Sequence, residues 1–319
     1  MVGVLVTGAG GNIGTSTLAA LTARGHTVRA LVPRTSRRGV APAFRAHPQV
    51  EVVRGDMRDT ASLAGLVAGQ DAVVHLAYAI PPDSDADPAA AVATNLDGTR
   101  ALIEAAQRQP NPPRFFFAST FDLYGDTRDQ PPPRRVDDPV QVTDLYTAHK
   151  LQGEEWVRSS GLEWSIFRFS DVPVMGLRAP HKIMFDIPLD QRFEVLHTAD
   201  AGLAVARLLE TDAAWNRVLL VGGGASCQVT YGEFLFGLLE AMGLGRLPEA
   251  AFTTRPYCTD WLDTTESEAL LHYQRHSFAD VVDEMRRIAG WRRHVTPPLR
   301  PLIQRRILRL SPYLRSSRA

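Results

Sequence analysis

Lysine is almost missing from this chain: of its 35 basic residues only Lys150 and Lys182 are lysines, and every other cation is an arginine. Where arginine is the default, a lysine inside a motif calls for a job that a compact ammonium does better. Cysteine is equally scarce. Cys227 and Cys258 stand alone, with no CxxC spacing and no histidine cluster beside them, which excludes a disulfide framework and gives no expectation of a metal site. No run of about 18 apolar residues occurs, and the opening MVGVLVTGAGG has no cationic stretch ahead of its apolar one, so a cytoplasmic protein is expected. Nor does either sign of charge dominate, with 35 basic against 35 acidic residues and a pI of about 7.1. Without a net field, neither a nucleic-acid partner nor stable membrane association is expected. What remains is an ordinary globular composition, 45% apolar and 22% charged over 319 residues, enough for one large domain with a smaller lobe.

Seven short apolar runs, at 2–8, 26–32, 50–56, 71–77, 114–120, 162–169 and 217–223, alternate with longer helical patterns. They are continuous in Val, Leu, Ile and Phe rather than alternating, which suits strands buried on both faces. The pattern predicts an α/β fold, a doubly wound parallel sheet of the Rossmann type. The Rossmann domain is read as 1–170, completed by segments around 197–223. The stretches 171–196 and 225–293 are assigned to a smaller substrate-binding lobe, and 294–319 to a basic C-terminal tail that forms a packed or frayed terminal helix. The proline-rich run 126–140 reads as a surface loop, because strand and helix patterns continue on both sides.

The first predicted strand ends in TGAGGNIG, with glycines at 8, 11 and 14, and a helical pattern starts at once. Glycine there permits a tight turn and close approach of backbone to a pyrophosphate seated on the helix N-terminus. Gly14 lets helix and strand pack closely. The second strand then reports on the ribose: an acid about 20 residues on would hold a 2′-hydroxyl, whereas arginine suits a 2′-phosphate. Here ALVPRTSRRG offers Arg34, Arg37 and Arg38 and no acid, so NADP(H) is favoured, with NAD(H) as the alternative.

Tyr146 and Lys150 are four apart in a tract that reads as helix, so their side chains share a face. A phenol is a poor acid or base near neutrality, and a nearby ammonium would stabilise its phenolate. Just upstream, FFFASTFDLYG carries Ser119 and Thr120 to the carboxyl end of a predicted buried strand, the edge where ligands bind. A hydroxyl there can hold a substrate oxygen beside the phenol for proton transfer.

With these residues in place, the sequence resembles the extended short-chain dehydrogenase/reductase family, the NAD-dependent epimerase/dehydratase group. TGAGGNIG is similar to that family's glycine motif, GDMRD (55–59) to its adenine-contacting acid, HLAY (75–78) to its HxAA strand end and NLDGT (95–99) to its NxxGT helix start. ASTFDLYG, YTAHK (146–150), FRFSDVP (167–173) and VLHTADAGLAV (195–205) complete a series of eight in the family's order. The resemblance implies an enzyme with Thr120 polarising the substrate, Tyr146 as acid/base and Lys150 on the ribose. It implies cofactor contacts from Gly8, Gly11, Asn12, Ile13, Gly14, Asp56, Met57, Leu76, Ala77 and Asn95, with Phe169 lining the nicotinamide and Arg34 at the ribose. Tyr78, Asp122 and Asp171 are candidate substrate contacts, and the helices starting at Asn95 and Tyr146 would pair in a homodimer.

Two departures bear on the reaction. The family's dehydratases follow the threonine with an Asp-Glu pair, whereas Phe121 and Asp122 stand here, which disfavours water elimination by that route. Between Asp171 and His197 there are Arg178, Lys182 and Arg192 but no asparagine, alongside Met175, Leu177, Ile183, Met184, Phe185 and Ile187, so the pocket is expected to be small or greasy. The expected activity is interconversion of carbonyl and alcohol on a small, partly apolar metabolite, with sugar-nucleotide epimerisation as the alternative. A nucleotide-sensing module is the third class, and it would not need Thr, Tyr and Lys together.

Overall fold

The computed structural model describes residues 1–34 and 39–316. Seven strands form one sheet: β1 (Gly3–Thr7), β2 (Thr27–Pro33), β3 (Val50–Gly55), β4 (Ala72–His75), β5 (Arg114–Thr120), β6 (Trp164–Phe169) and β8 (Arg217–Val221). All pair in parallel, in the order β3-β2-β1-β4-β5-β6-β8. Each strand falls on a run read from the sequence, β2 extending past its run to Pro33. The physical reason shows in β5, where Phe116 packs into the cluster on one face while Phe115 and Phe117 pack into the other, all fully buried. Burial of each ring contributes about 2–3 kcal/mol, and such a strand has no solvent face to alternate toward.

One face is covered by α1 (Asn12–Ala23) and α7 (Thr198–Leu208), the other by α2 (Thr60–Val67), α5 (Gly98–Gln107) and α6 (Leu145–Arg158). The first two helices approach so closely that a Cβ at Gly202 would lie 2.4 Å from the Ser16 backbone. Short helices α3 (Asp83–Ala86) and α4 (Pro88–Val92) lead into a π-helical turn, Ala93–Asp97, just before α5. The sheet order reverses between β1 and β4, which opens a crevice at the carboxyl ends of those strands.

The lobe carries a small antiparallel pair, β7 (Arg192–Glu194) with β9 (Gln228–Thr230), and the helices α8 (Tyr231–Ala241), α10 (Phe278–Ala289) and α11 (Arg292–Leu308). Two boundaries differ from the sequence reading. Helix α9 (Thr265–Leu271) and Tyr273 pack into the main core, with Leu271 and Tyr273 fully buried, so this part of 225–293 serves the sheet rather than the lobe. The stretch read as a tail begins inside α11, whose Ile303, Ile307 and Leu308 bury against the lobe before α12 (Tyr313–Ser316). Among the described residues no helix is long and apolar enough to cross a membrane.

Candidate active site

The crevice holds a cavity of about 480 Å³ lined by Gly8, Gly11, Asp56, Met57, Leu76 and Ala77, all expected there, and by Gly10, Arg58 and Thr94, which were not. Its floor tolerates no side chain. Gly8 has φ +70°, and a Cβ there would sit 2.7 Å from the Ala77 nitrogen, while one at Gly14 would sit 2.2 Å from the Gly8 carbonyl oxygen. Helix α1 starts on Gly11 with no side-chain cap, so no side chain competes for its first N–H groups. This cradle fits a dinucleotide pyrophosphate.

Several expected contacts instead hold the cradle's walls. Asn12 donates from Nδ2 to the Val172 and Pro173 carbonyls, 3.3 Å each, tying the loop to the segment beyond β6, and Ile13 packs on the core. The Asn95 side chain lies buried in the π-helical turn, accepting from Ala79 N at 2.7 Å and donating to Ala79 O at 2.9 Å. It thereby fixes the wall that Leu76 and Ala77 form. His75 is hydrogen-bonded to Thr7 and Thr99, at 2.8 Å each, and burial brings its pKa down to about 3, so it is neutral. Phe169 is 5% exposed, its ring packed against Phe116 and Phe167, so it offers a nicotinamide little more than an edge.

At the outer end Asp56 is gripped by Arg58, with Nε to Oδ1 at 2.9 Å and Nη2 to Oδ2 at 2.6 Å, which draws its pKa down to about 2. Arg34 is exposed and 3.8 Å from Asp59. Together these four residues rim a second cavity of about 420 Å³. Arg37 and Arg38 lie outside the described residues.

Deeper in, β5 delivers Thr120 to the carboxyl edge, where its Oγ1 accepts from Asp122 N at 3.2 Å and caps the turn Phe121–Tyr124. Ser119, one residue earlier, points to the opposite face and donates to Glu154 at 2.6 Å, so of the two hydroxyls only Thr120 is left on the side of Tyr146. Helix α6 begins at a capping box between Asp144 and Thr147, which fixes Tyr146 in its first turn and Lys150 one turn on. Thr120 lies beside the Tyr146 phenol.

Lys150 is anchored on β5. Its Nζ donates to the Ala118 carbonyl at 2.5 Å and lies 3.5 Å from the centre of the Tyr78 ring, against 5.7 Å from that of Tyr146. Burial lowers its pKa to about 7, while burial and then the Asp122 carboxylate push the Tyr146 phenol upward. Desolvation outweighs the ammonium, and Tyr146 is held as the neutral acid. Tyr78 stands edge-on to Tyr146, ring centres 6.2 Å apart, and its buried hydroxyl has no hydrogen-bond partner among the described residues.

The neighbourhood of Tyr146 is acidic. Burial raises Asp122 to about 7 and Asp171 to about 8, and the two repel each other. Asp171 accepts from Thr259 at 2.9 Å. Thr259 belongs to a loop from the far end of the lobe that also brings Tyr257 and Cys258 beside these acids, where burial pushes both their pKa values up. Sequence reasoning missed all three; no periodicity marks them. Beneath the site, Glu154 is wholly buried and accepts from Arg168 Nη2 at 2.8 Å and Arg158 Nη2 at 2.7 Å, anchoring α6 to β5 and β6. His197 and Asp200 of the HTAD segment form a tether with His276 and Glu284: His276 donates to Asp200 and His197 to Glu284, both at 2.6 Å, and the rings stack 3.9 Å apart.

Comparison with known proteins agrees with this arrangement. Residues 4–184 match the NAD dependent epimerase/dehydratase family. A dTDP-glucose 4,6-dehydratase of Mycolicibacterium smegmatis is 30% identical over 267 residues, covering 75% of this chain and 77% of that one. Among solved structures, the dTDP-glucose 4,6-dehydratase DesIV from Streptomyces venezuelae, with NAD bound, is 25% identical with a TM-score of 0.74, covering 94% of this chain and 99% of the other. A UDP-glucuronic acid 4-epimerase from Bacillus cereus, in complex with UDP-glucuronic acid and NAD, is alike in fold at 21% identity and a TM-score of 0.75, covering 90% and 98%. From its glycine cradle through the tyrosine and lysine of α6, the chain belongs to the NAD-dependent epimerase/dehydratase family of extended short-chain dehydrogenase/reductase enzymes.

Proposed function

We propose that this enzyme interconverts a carbonyl and an alcohol on a compact, uncharged and partly apolar metabolite, in the cytoplasm and as a homodimer through α5 and α6. NADP(H) is its preferred cofactor, with Arg34 on the 2′-phosphate. The observation that carries the reading is the convergence of Thr120 and Tyr146 at the edge of β5, with the phenol held protonated. When bound, the nicotinamide supplies or accepts the hydride. Thr120 and Tyr146 hold the substrate oxygen, and Tyr146 gives its proton to the alkoxide that develops there. Lys150, anchored on Ala118, keeps α6 in register with β5 and presents its remaining donors to the cofactor side.

The substrate class rests on charge. Asp122 and Asp171 are buried acids near one another, with Asp144 close to Asp122, and neither offers a cation to a diphosphate. Of the cations between Asp171 and His197, Arg192 is committed: it grips Asp260 and donates from Nη2 to Thr127 O at 2.8 Å. Phe121 is 4% exposed and packs with Tyr124, Leu220 and Leu262, so the position that would carry a dehydratase acid turns inward.

The test is Tyr146→Phe. Turnover of ketone or aldehyde substrates should fall about 10²–10⁴-fold, with cofactor affinity and melting temperature retained; undiminished turnover refutes the role of the phenol. The second reading, epimerisation of a sugar nucleotide on retained NAD, draws on the dehydratase and epimerase relatives. Stoichiometric NAD released from the denatured, freshly purified protein would favour it over the first.

A further inference from the structure

Helix α11 turns one face to the lobe and the other to solvent, and the outward face is apolar. Trp291, just before the helix, and Val295, Leu299 and Leu302 within it are 68%, 47%, 52% and 70% exposed. Their spacings of four, four and three residues place them in one stripe along three turns. At the far end of that stripe stand Arg305 and Arg306, both exposed, and the Arg292 guanidinium lies 5.6 Å from the Trp291 ring. The presentation is rigid, because the opposite face is clamped: Ile303, Ile307 and Leu308 pack into the lobe, and Gln304 donates to the Leu244 and Arg246 carbonyls at 2.7 and 2.9 Å.

The charge of this segment is extreme in a neutral protein. Residues 291–319 contain eight arginines and no acid, which leaves 27 basic against 35 acidic residues in the rest of the chain. An apolar stripe beside arginines, on a helix whose other face is fixed, has the features of an interfacial helix. Its apolar residues enter the boundary between headgroups and acyl chains while the guanidinium groups reach phosphates. A second copy is a poor occupant, since isologous pairing of the stripes would bring the two sets of arginines together. The acidic remainder of the molecule would turn away from an anionic surface, so the charge asymmetry also sets orientation.

We propose that α11 docks the enzyme reversibly on an anionic phospholipid surface, with Trp291, Val295, Leu299 and Leu302 inserted and Arg305 and Arg306 on the phosphates. The contact is salt-sensitive and peripheral, which separates it from the stable association that the neutral composition argues against.

The experiment is flotation of the full-length protein with phosphatidylcholine vesicles, with and without about 30% phosphatidylglycerol, at about 50 and about 500 mM salt. The protein should float with the anionic vesicles at low salt, stay behind with neutral ones, and be released at high salt. Arg305→Ser with Arg306→Ser should weaken partitioning about thirtyfold, and Leu299→Asp with Leu302→Asp should abolish it, both with unchanged melting temperature and NAD(P) binding. Failure to float with anionic vesicles, or equal partitioning onto neutral ones, overturns the proposal. So does light scattering that shows the leucine variant dissociating an oligomer, which would assign the stripe to a second copy. The arginine pair lies wholly at the surface, so the test survives even if the leucine variant folds poorly.

Discussion

Replacing Asp122 by asparagine should make the protein more stable at alkaline pH, because the native fold holds this carboxyl where its charge is unwelcome. Its ordinary pKa is about 3.9, and in the site burial raises it to about 7, helped by Asp144 and opposed by the Thr120 hydrogen bond and by Lys150. An acid whose folded pKa is raised contributes stability that is present below its unfolded pKa and is lost as pH climbs toward the folded value. At about 1.4 kcal/mol per decade, the penalty is about 1.5 kcal/mol at pH 5 and about 4 kcal/mol by pH 8. The asparagine amide has nothing to ionise. The variant should therefore gain about 1 kcal/mol at pH 5 and about 2–4 kcal/mol at pH 8, the latter about 3–6 °C in melting temperature. Scanning calorimetry of both proteins from pH 5 to 8.5 reads this directly, as a flatter curve for the variant. Parallel curves, or a variant that melts lower at pH 8, would refute the claim that Asp122 is held protonated near neutrality. A gain in stability with a loss of turnover would identify the carboxyl as one kept for chemistry at a structural cost.

Two other perturbations test the groups that frame the site. Arg34→Ala should weaken NADPH binding at least tenfold more than NADH binding in fluorescence titrations, and equal losses would remove the 2′-phosphate assignment. Glu154→Gln leaves the Arg168 guanidinium, 4% exposed, without its charge partner, and should cost about 3–5 kcal/mol in urea unfolding; a loss below about 1 kcal/mol would mean that the hydrogen bonds alone hold α6 in place.

Much of the architecture was legible in the residues, and the reasons are local. All seven strands could be located because each is covered on both faces, and an apolar run with no solvent-facing alternation has few other uses. TGAGGNIG was legible because its glycines are demanded by backbone contacts, as the 2.2 Å clash at Gly14 shows. Spacing placed Tyr146 and Lys150 on one face, but it could not report the depth at which they lie. Burial, a tertiary quantity, pushes the phenol up where a nearby ammonium alone would bring it down. Asn12 and Asn95 matched their motifs, yet their partners, Val172, Pro173 and Ala79, depend on how distant segments meet. Tyr257, Cys258 and Thr259 carried no signal at all, because their loop reaches the site through long-range bonds, such as Gln191 to the Thr259 carbonyl at 2.8 Å.

That loop bears on what separates reactions within one scaffold. In the proposed reading the Thr, Tyr and Lys of this site carry redox exchange at a carbon bearing oxygen and leave open what happens at its neighbours. Elimination needs a proton donor for the leaving hydroxyl and a base for the adjacent carbon. Here the residue after Thr120 is a phenylalanine packed inward, and its successor Asp122 titrates near neutrality. The other acid on the substrate side, Asp171, is held by Thr259 and titrates higher still, so at neutral pH neither is a fully ionised base. Around Tyr146, beside Lys150, stand buried acids, a thiol and phenols. Such groups offer hydrogen bonds to carbonyl and hydroxyl oxygens and no fixed cation to a phosphate, which is the basis of the proposed hydride exchange on an uncharged molecule.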